Sequence, residues 1–233
     1  MRTLKIDGLE VSRICLGGGK MVDMDIETGK SLVRKAMELG INIFDCHHRY
    51  GNCEKIVGQF DNIVKMTKIS AYRFEERYKL LEASIQKLGK IDILIISDLD
   101  NNELYTYGED MFNEFYRQGI YFNNPMACVM MGITTEDPTL AYRFMNSHPE
   151  CDIFLVPVYI GSKDMTKFIK DAQDRGKIVF AIKTMCDGLS LKDHTVQECS
   201  DFVKSINLDV VVVGTSNLSH LEELVNIYSD GVI

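Results

Sequence analysis

The sequence predicts an α/β fold, a (β/α)8 TIM barrel preceded by an N-terminal β-hairpin. Eight short apolar runs, rich in β-branched residues, begin about 22 to 36 residues apart along the 233-residue chain. This spacing matches one strand, one helix and their two loops. The runs are continuously apolar rather than alternating, as parallel strands buried on both faces require. No Gly-x-Gly-x-x-Gly sequence follows the first run, which favours a barrel over a doubly wound sheet.

Each apolar run is interpreted as one barrel strand. In chain order they are SRICLGG from Ser12, INIFD from Ile41, IVKMTK from Ile63, IDILIIS from Ile91, ACVMMGI from Ala127, CDIFLVPV from Cys151, KIVFAIK from Lys177 and LDVVVVG from Leu208. Helical spacing of apolar residues predicts helices between the runs, most clearly over 27–39 and 78–88, with Gly40 and Gly89 as stop signals. Residues 3–6 and 9–11 flank Asp7-Gly8, a turn signal for a hairpin that plugs the N-terminal end of the barrel.

The length of the chain matches eight strand–helix units. Since 233/8 is about 29 residues per unit, we expect one domain over residues 1–233. Barrels of this class more often have about 250 residues or more. The chain stops soon after the eighth predicted helix, so we expect short substrate loops and an open active site. Its pocket would be built from residues 98–107, including Tyr105 and Tyr107, and from His47 and His48.

Charge and composition exclude several classes of protein. The formal charge is −8, from 26 basic and 34 acidic residues, and no run of Lys and Arg could follow a phosphate backbone, so nucleic-acid binding is not expected. No apolar run reaches the roughly 18 residues of a membrane span, and the N-terminus lacks the apolar core of a signal peptide. The seven cysteines form no C-x-x-C pair, and Cys15, Cys128 and Cys151 lie in or beside strand-like runs, as reduced, buried thiols do. We expect a cytoplasmic protein that acts on a small molecule.

Four segments carry a resemblance to a known family. They are LKIDGLEVSRICLGGGKM, GINIFDCHHRYGNCEKIVG, KMTK with QKLGKIDILII, and VVVVGTSNLSHLEEL. Together they run from one end of the chain to the other, and they resemble the aldo-keto reductases. That family consists of (β/α)8 barrels that reduce aldehydes and ketones with NADPH or NADH, so the resemblance implies this fold and this activity.

The resemblance implies a catalytic set of Asp, Tyr, Lys and His. Asp45, Tyr50 and Lys68 match the first three, and Ser97 stands where the family has its histidine. Tyr50 would protonate the carbonyl oxygen, Lys68 would lower the pKa of the phenol, and Asp45 would orient Lys68. The missing imidazole would slow reduction on the order of ten- to a thousandfold without abolishing it.

The positions that hold the nicotinamide ring in this family are altered. Thr134 and Thr135 replace a Ser-Asn pair, Leu155 replaces a Gln, and Val158 replaces a stacking Tyr. Thr134 keeps a hydrogen-bonding group, whereas Leu155 and Val158 would form only an apolar wall.

The phosphate-binding turn of the family is retained after the eighth strand. It consists of Gly214, Thr215, Ser216 and Asn217. No Arg or Lys follows to bind a 2′-phosphate, and Leu224 replaces an adenine-contacting Asn of the family. The cofactor would be NADP or NAD, and the charges give no support for NADP.

The remaining ionisable residues at strand ends allow more than one interpretation. Lys183 is assigned to the cofactor site and would pair with an anion or with Asp187; a Schiff-base role has less support. His47 and His48 are assigned to substrate binding, although exposed loop histidines without a role would look the same. Because adjacent side chains in a loop diverge and no third ligand has a suitable spacing, no metal site is expected.

Three functions remain open at this point. The first is NAD(P)H-dependent carbonyl reduction. The second is a dehydratase, lyase or isomerase that keeps Asp45, Tyr50 and Lys68 as an acid–base set and uses no dinucleotide. This function is suggested by four residues that replace the family's catalytic or cofactor-contacting side chains, namely Ser97, Leu155, Val158 and Leu224. The third is a barrel that binds a ligand without catalysing a reaction.

Overall fold

An antiparallel hairpin precedes the barrel. Strand β1 (Thr3–Ile6) pairs with β2 (Leu9–Ser12). Asp7 of the predicted turn lies outside the described residues, and Gly8 follows with a positive φ of 85°. Ile6 and Val11 are buried in the same apolar cluster as the interior residues of the barrel strands. The predicted N-terminal hairpin is thus confirmed, and it packs against the barrel interior.

Eight parallel strands close into a barrel. The computed structural model describes residues 1–6, 8–117 and 130–229. The strands are β3 (Ile14–Gly17), β4 (Ile43–Asp45), β5 (Val64–Ser70), β6 (Ile93–Ser97), β7 (Met130–Thr134), β8 (Ile153–Pro157), β9 (Ile178–Ile182) and β10 (Val210–Val213). Each strand pairs with the next, and β10 closes the barrel on β3 through Val211 and Ile14. The predicted (β/α)8 fold is confirmed. Ala127 and Cys128 of the fifth predicted run lie outside the described residues.

Helices surround the barrel. They are α1 (Ile26–Glu38), α2 (Cys53–Val57), α3 (Arg77–Leu88), α4 (Asn102–Arg117), α5 (Pro138–Ser147), α6 (Thr166–Asp174), α7 (Val196–Ser205) and α8 (Leu218–Ser229). Helices α1 and α3 match the two clearest predicted helices, and Gly40 and Gly89 follow them in positive φ, as expected of helix stop signals. None of the helices described here is both long enough and apolar enough to cross a lipid bilayer.

The strands are buried on both faces, which explains their unbroken apolar sequences. In β6, Ile93 and Ile95 belong to the cluster inside the barrel, whereas Leu94 and Ile96 pack in the cluster between strands and helices. Truncating one such side chain to alanine costs about 2 to 5 kcal/mol. The cysteines Cys15 and Cys151 are fully buried, as predicted. This rigid core fixes where each strand ends and therefore where the polar residues after it meet.

Candidate active site

A cavity of about 560 Å³ opens at the carboxyl end of the barrel, and we call it the mouth cavity. It extends from the ends of β3 and β4 to helix α8. Nine of the twelve predicted site residues line it. These nine are Asp45, His47, Tyr50, Lys68, Ser97, Thr134, Lys183, Gly214 and Thr215. The other three, His48, Ser216 and Asn217, lie outside its wall.

Asp45 and Lys68 form a buried ion pair at the floor of the mouth cavity. Parallel pairing matches Asp45 with Met66, so Lys68 lies two residues further along β5 and on the same face as Met66. Lys68 Nζ donates to Asp45 Oδ1, and the residues are 5% and 4% exposed. Burial raises the pKa of Asp45. Burial also acts to lower the pKa of Lys68, but the electrostatic effects of Asp45 and Tyr50 are together larger, so the pKa of Lys68 is raised. The ammonium is charged at neutral pH.

Tyr50 lies in the loop between β4 and α2, where a tight turn fixes its backbone. Its N–H donates to the carbonyl of His47, and its own carbonyl accepts from Cys53 N, each over 2.9 Å. Gly51 follows with a φ of 51°, and a Cβ there would collide with the carbonyl oxygen of Val22. The ammonium of Lys68 is 5.5 Å from the centre of the Tyr50 ring.

The predicted pKa of Tyr50 needs a correction. Burial raises the pKa of the phenol, and this outweighs the opposing effect of Lys68. The net shift is therefore upward rather than downward, and Tyr50 is protonated at neutral pH. Lys68 can still stabilise the phenolate as it forms, because its charge is close to the ring.

His47 is a buried residue of the cavity wall, not an exposed loop histidine. It is 4% exposed, its Nδ1 accepts from the backbone N–H of Arg49 over 3.0 Å, and its Nε2 lies 3.2 Å from Ser97 Oγ. Because Nδ1 is an acceptor, the neutral ring carries its proton on Nε2. Burial, then the charge of Lys68, lowers the pKa of His47 to about 2. The ring is neutral across the physiological range, and its centre is 5.1 Å from that of Tyr50.

His48 has a different environment. It is half-buried, and burial followed by the charge of Arg49 lowers its pKa to about 4. Its ring centre is 4.5 Å from that of His47, so the two side chains do not diverge as the sequence suggested. Since His48 does not line the mouth cavity, its predicted substrate contact has no counterpart in this structure.

Ser97 and Asp98 link His47 to a polar network at the end of β6. The Asp98 carboxylate accepts from Ser97 Oγ over 3.3 Å, from Arg49 Nη2 over 2.8 Å, and from Ser70 Oγ. Asp98 has a φ of 68°, an uncommon value for a residue other than glycine. The network holds the carboxylate beside Ser97.

Several predictions about the cavity wall are wrong. Leu155 and Val158 are buried and do not line the mouth cavity, so they form no wall around a ligand there. Tyr105 and Tyr107 lie within helix α4 and are also absent from it, whereas Asp98 of the same predicted segment lines it. The positions of these residues depend on where β8 and α4 begin and end, which the apolar pattern does not specify.

Lys183 pairs with a residue that the sequence analysis missed. Its Nζ donates to Glu136 Oε1 and not to Asp187. The Asp187 carboxylate pairs instead with Lys20, with 3.8 Å between Asp187 Oδ1 and Lys20 Nζ. Glu136 follows Thr134-Thr135 after β7 and lines the mouth cavity. Glu136 lies two residues beyond the end of β7, so the rule that polar residues after strand ends build the site also applies to it.

The turn before α8 is divided between two surfaces. Gly214 and Thr215 line the mouth cavity, and Ser216 lines a neighbouring shallow cleft. Asn217 caps the helix, because its Oδ1 accepts from the backbone N–H groups of Ser219 and His220 over 2.8 and 3.2 Å. These two donors are therefore already used within the protein.

The sequence matches no known family model and no curated protein. Solved structures are nevertheless similar over almost the whole chain. A Pseudomonas aeruginosa protein described as an aldo-keto reductase has a TM-score of 0.77 at 20% identity, covering 98% of this chain and 94% of that chain. The holo form of an aldo-keto reductase from Bacillus halodurans has a TM-score of 0.75 at 15% identity, covering 100% and 92%. A glycerol dehydrogenase from Gluconobacter oxydans has a TM-score of 0.71 at 16% identity, covering 97% of this chain and 90% of that chain.

The chain has the aldo-keto reductase fold. At these identities the similarity is one of fold, and function depends on the residues of the site. The mouth cavity combines Tyr50, Lys68 and Asp45 with Gly214 and Thr215 of the turn that leads into α8.

The mouth cavity fits a nicotinamide dinucleotide, the cofactor that the aldo-keto reductase fold implies. Because Gly19 has no side chain, the cavity keeps space beside the ring of Tyr50. A Cβ at residue 19 would lie 3.7 Å from Tyr50 Cζ and would fill that space. Thr134 lines the cavity, and its hydroxyl makes no hydrogen bond to any of the described residues. Gly214 and Thr215 line it where α8 begins. Glu223, an exposed carboxylate of α8, also lines the cavity. Its negative charge disfavours binding of the 2′-phosphate of NADP there.

Proposed function

We propose that this protein is an oxidoreductase of the aldo-keto reductase type that reduces the carbonyl group of a small molecule with NADH or NADPH. The observation that supports this most is the assembly of Tyr50, Lys68 and Asp45 in one cavity that continues to the N-terminus of α8. A phenol, a buried ammonium and a buried carboxylate together provide a proton donor with electrostatic support.

In the proposed reaction, Tyr50 donates its proton to the carbonyl oxygen of the substrate. Lys68 stabilises the phenolate that this leaves, and Asp45 is a positioning residue, because it holds the ammonium of Lys68. The dinucleotide, when bound, supplies the hydride that reaches the carbonyl carbon. Thr134, Gly214, Thr215 and the cations of Lys20 and Lys183 are the groups that would hold it.

His47 would be a second hydrogen-bond donor if the carbonyl oxygen replaced Ser97 Oγ as the acceptor of its Nε2–H. Its Nε2–H has only Ser97 Oγ as a partner among the described residues, at 3.2 Å, and its ring adjoins that of Tyr50. A neutral imidazole polarises a carbonyl without competing with Tyr50 as the acid, because its own pKa as a neutral donor is far higher. Before the substrate binds, Ser97 Oγ accepts this N–H and orients the ring, so Ser97 is a positioning residue.

Titration with NADH and NADPH, followed by nucleotide fluorescence, tests the proposal together with assays of carbonyl reduction. We expect binding of at least one dinucleotide, and a loss of roughly 100-fold or more in kcat for Tyr50→Phe with binding unchanged. Tyr72→Phe, an exposed tyrosine outside the cavity, is the matched control. Absence of dinucleotide binding at millimolar concentration would contradict the proposal.

One observation favours a second candidate function. Since Asn217 uses two N-terminal N–H groups of α8 as a cap, fewer donors remain there for a phosphate. An acid–base enzyme without a dinucleotide, such as a dehydratase, lyase or isomerase, would keep the same Tyr50, Lys68 and Asp45. Turnover that requires Tyr50 in the absence of any dinucleotide would favour this alternative.

A further inference from the structure

Asp98 has a backbone conformation that glycine would adopt more easily. Its φ is 68°, in the left-handed region that residues with a Cβ seldom occupy. Its two neighbours fix the chain on either side. Ser97 is the last residue of β6, and Leu99 is fully buried, with its N–H donating to the carbonyl of Thr134. The chain must therefore turn at residue 98, and aspartate, unlike glycine, places a carboxylate at this turn.

The Asp98 carboxylate collects three donors on one oxygen. Its Oδ2 accepts from Ser97 Oγ over 3.3 Å, from Arg49 Nη2 over 2.8 Å, and from Ser70 Oγ. Ser70 and Ser97 are paired residues of the adjacent strands β5 and β6, so the strand register brings both hydroxyl groups to the same point. The Asp98 side chain is only 23% exposed, and water screens such partly buried contacts less than it screens contacts at the surface.

These contacts complete a closed ring of hydrogen bonds that includes His47. The backbone N–H of Arg49 donates to His47 Nδ1 over 3.0 Å, and the guanidinium of Arg49 donates to Asp98. From Asp98 the ring returns through Ser97 Oγ, which lies 3.2 Å from His47 Nε2. Asp98 thus contacts both residues that bond to the imidazole, Arg49 on the Nδ1 side and Ser97 on the Nε2 side.

Both sides of this ring require the same tautomer of His47. The backbone N–H of Arg49 can only donate, so His47 Nδ1 is an acceptor. A carboxylate can only accept, so Ser97 directs its hydroxyl proton to Asp98 and turns a lone pair towards His47 Nε2. The proton of the neutral ring is therefore on Nε2. A carbonyl oxygen that displaces Ser97 Oγ meets a donor that is already in place.

Resting on the proposed function, we propose that Asp98 is a positioning residue for carbonyl reduction, which holds His47 in the Nε2–H tautomer through Ser97 and Arg49. Asp98 acts through these two residues and not on the substrate. Because the tautomer is set before the substrate arrives, His47 needs neither a proton shift nor a ring rotation when the carbonyl oxygen binds.

The kinetic test is a double-mutant cycle between Asp98 and His47, with the full chain, its preferred dinucleotide and the aldehyde that it reduces fastest. Asp98→Gly removes the carboxylate but suits the backbone, since glycine adopts a positive φ without strain. It should lower kcat roughly 10- to 100-fold, as does the loss of a carboxylate that orients a metal-bound histidine, and change KM less. In the His47→Ala background the same substitution should change kcat by about twofold or less.

Two outcomes of this cycle overturn the proposal. Equal losses of kcat in the two backgrounds would mean that Asp98 does not act through His47. An unchanged kcat for Asp98→Gly would mean that the carboxylate has no role in the reaction. Urea unfolding shows that each variant is folded.

Two further variants separate the carboxylate from general effects of substitution. Asp98→Asn can place its single amide oxygen where Oδ2 accepts all three donors, and asparagine tolerates the left-handed backbone, so it should retain more of kcat than Asp98→Gly. A kcat for Asp98→Asn as low as that of Asp98→Gly would contradict a role for this oxygen as the acceptor. Asp61→Gly removes an exposed carboxylate outside the cavity and should leave kcat unchanged.

Nitrogen NMR of the histidine rings tests the role of Asp98 without turnover. Protonated and unprotonated ring nitrogens give separate 15N resonances, and their loss in His47→Ala identifies those of His47. We expect the Nε2–H tautomer in the unmodified protein and in Asp61→Gly, and a mixture of both tautomers in Asp98→Gly. The Nε2–H tautomer alone in Asp98→Gly, or the Nδ1–H tautomer in the unmodified protein, overturns the proposal. Since this measurement needs neither dinucleotide nor substrate, a protein that reduces no carbonyl rejects the proposed function, while the tautomer still tests Asp98.

Discussion

The Nε2 atom of His47 lies 3.2 Å from the Oγ atom of Ser97. Ser97 ends β6, at the position where the resemblance to aldo-keto reductases places a histidine. An imidazole is therefore present at this corner of the mouth cavity, but it comes from the loop after β4 instead of the end of β6. The backbone N–H of Arg49 fixes which ring nitrogen carries the proton.

This relationship predicts the effect of moving the imidazole. His47→Ala should lower kcat/KM for carbonyl reduction on the order of ten- to a thousandfold, since one hydrogen bond to the carbonyl oxygen is lost. Adding Ser97→His to His47→Ala should recover at least part of that loss by returning an imidazole to the same corner. Steady-state kinetics measure both effects, with kcat and KM reported separately.

Two controls separate this role from a structural one. His194→Ala removes a histidine that does not line the cavity and should leave kcat/KM unchanged. Urea unfolding of each variant shows whether it folds. A folded His47→Ala protein with unchanged kcat/KM would falsify the role of His47 as a donor to the carbonyl.

Much of the fold was predictable because the barrel repeats one simple pattern. Runs such as IDILIIS, which forms β6, are buried on both faces, and the spacing between runs leaves room for one helix each. Gly40 and Gly89 marked helix ends because positive φ is easiest for glycine. The predicted position of Tyr107 was wrong because α4 begins at Asn102. The start signal is Asn101, whose Oδ1 accepts from the backbone N–H of Leu104 over 3.0 Å, and the apolar pattern alone does not include it.

The site was predictable where it depends on strand register and not where it depends on loop conformation. Asp45 and Lys68 lie at strand ends, so parallel pairing brings them together. His47 lies in a loop, and its burial results from hydrogen bonds to Arg49 N and Ser97 that no local pattern encodes. The net pKa of Tyr50 likewise depends on burial, which a sequence does not quantify.

The buried, neutral ring of His47 also predicts how stability depends on pH. Its pKa is about 2 in the folded protein and about 6.5 when unfolded, so below pH 6.5 the unfolded chain binds one more proton than the folded chain. Stability is therefore fully present above pH 6.5 and is lost as the pH falls. Between pH 6.5 and 5 this one group removes about 2 kcal/mol of the free energy of unfolding.

Urea unfolding at pH 7 and pH 5 measures this loss. His47→Gln cannot take up the proton, so its loss of stability between the two pH values should be smaller by about 2 kcal/mol than that of the unmodified protein. The comparison uses the difference between two pH values, which removes any constant cost of the substitution. Equal losses in the two proteins would show that His47 is protonated in the folded state.

The buried ion pair of Lys68 and Asp45 predicts strong coupling between the two residues. Removing one partner leaves the other buried without its counter-charge, and we expect Lys68→Met or Asp45→Asn to lower the free energy of unfolding by about 3 to 5 kcal/mol each. The double variant Asp45→Asn/Lys68→Met leaves no unpaired charge and should lose less than the sum of the two. Denaturant unfolding of the unmodified protein, the two single variants and the double variant measures this coupling as a double-mutant cycle. Additive losses would contradict a direct ion pair.

The carboxylate of Glu223 predicts how the protein distinguishes the two dinucleotides. Glu223 lines the α8 end of the mouth cavity together with His220, three residues earlier on the same face of the helix. A 2′-phosphate bound near this end would meet a like charge, so we expect NADH to bind at least as tightly as NADPH. Glu223→Arg replaces repulsion with a charge-assisted hydrogen bond, and it should shift the ratio of the two Kd values roughly tenfold towards NADPH.

Fluorescence titration with each dinucleotide measures this ratio without requiring turnover. Asp61→Arg is the control, because it changes the formal charge from −8 to −6 just as Glu223→Arg does, but at an exposed position outside the cavity. At 0.15 M salt the screening length is about 8 Å, so a distant charge should affect NADH and NADPH binding almost equally. A shift of equal size in both variants would mean that net charge, not the position of Glu223, sets the preference. A shift confined to Glu223→Arg would locate the ribose end of the dinucleotide beside α8.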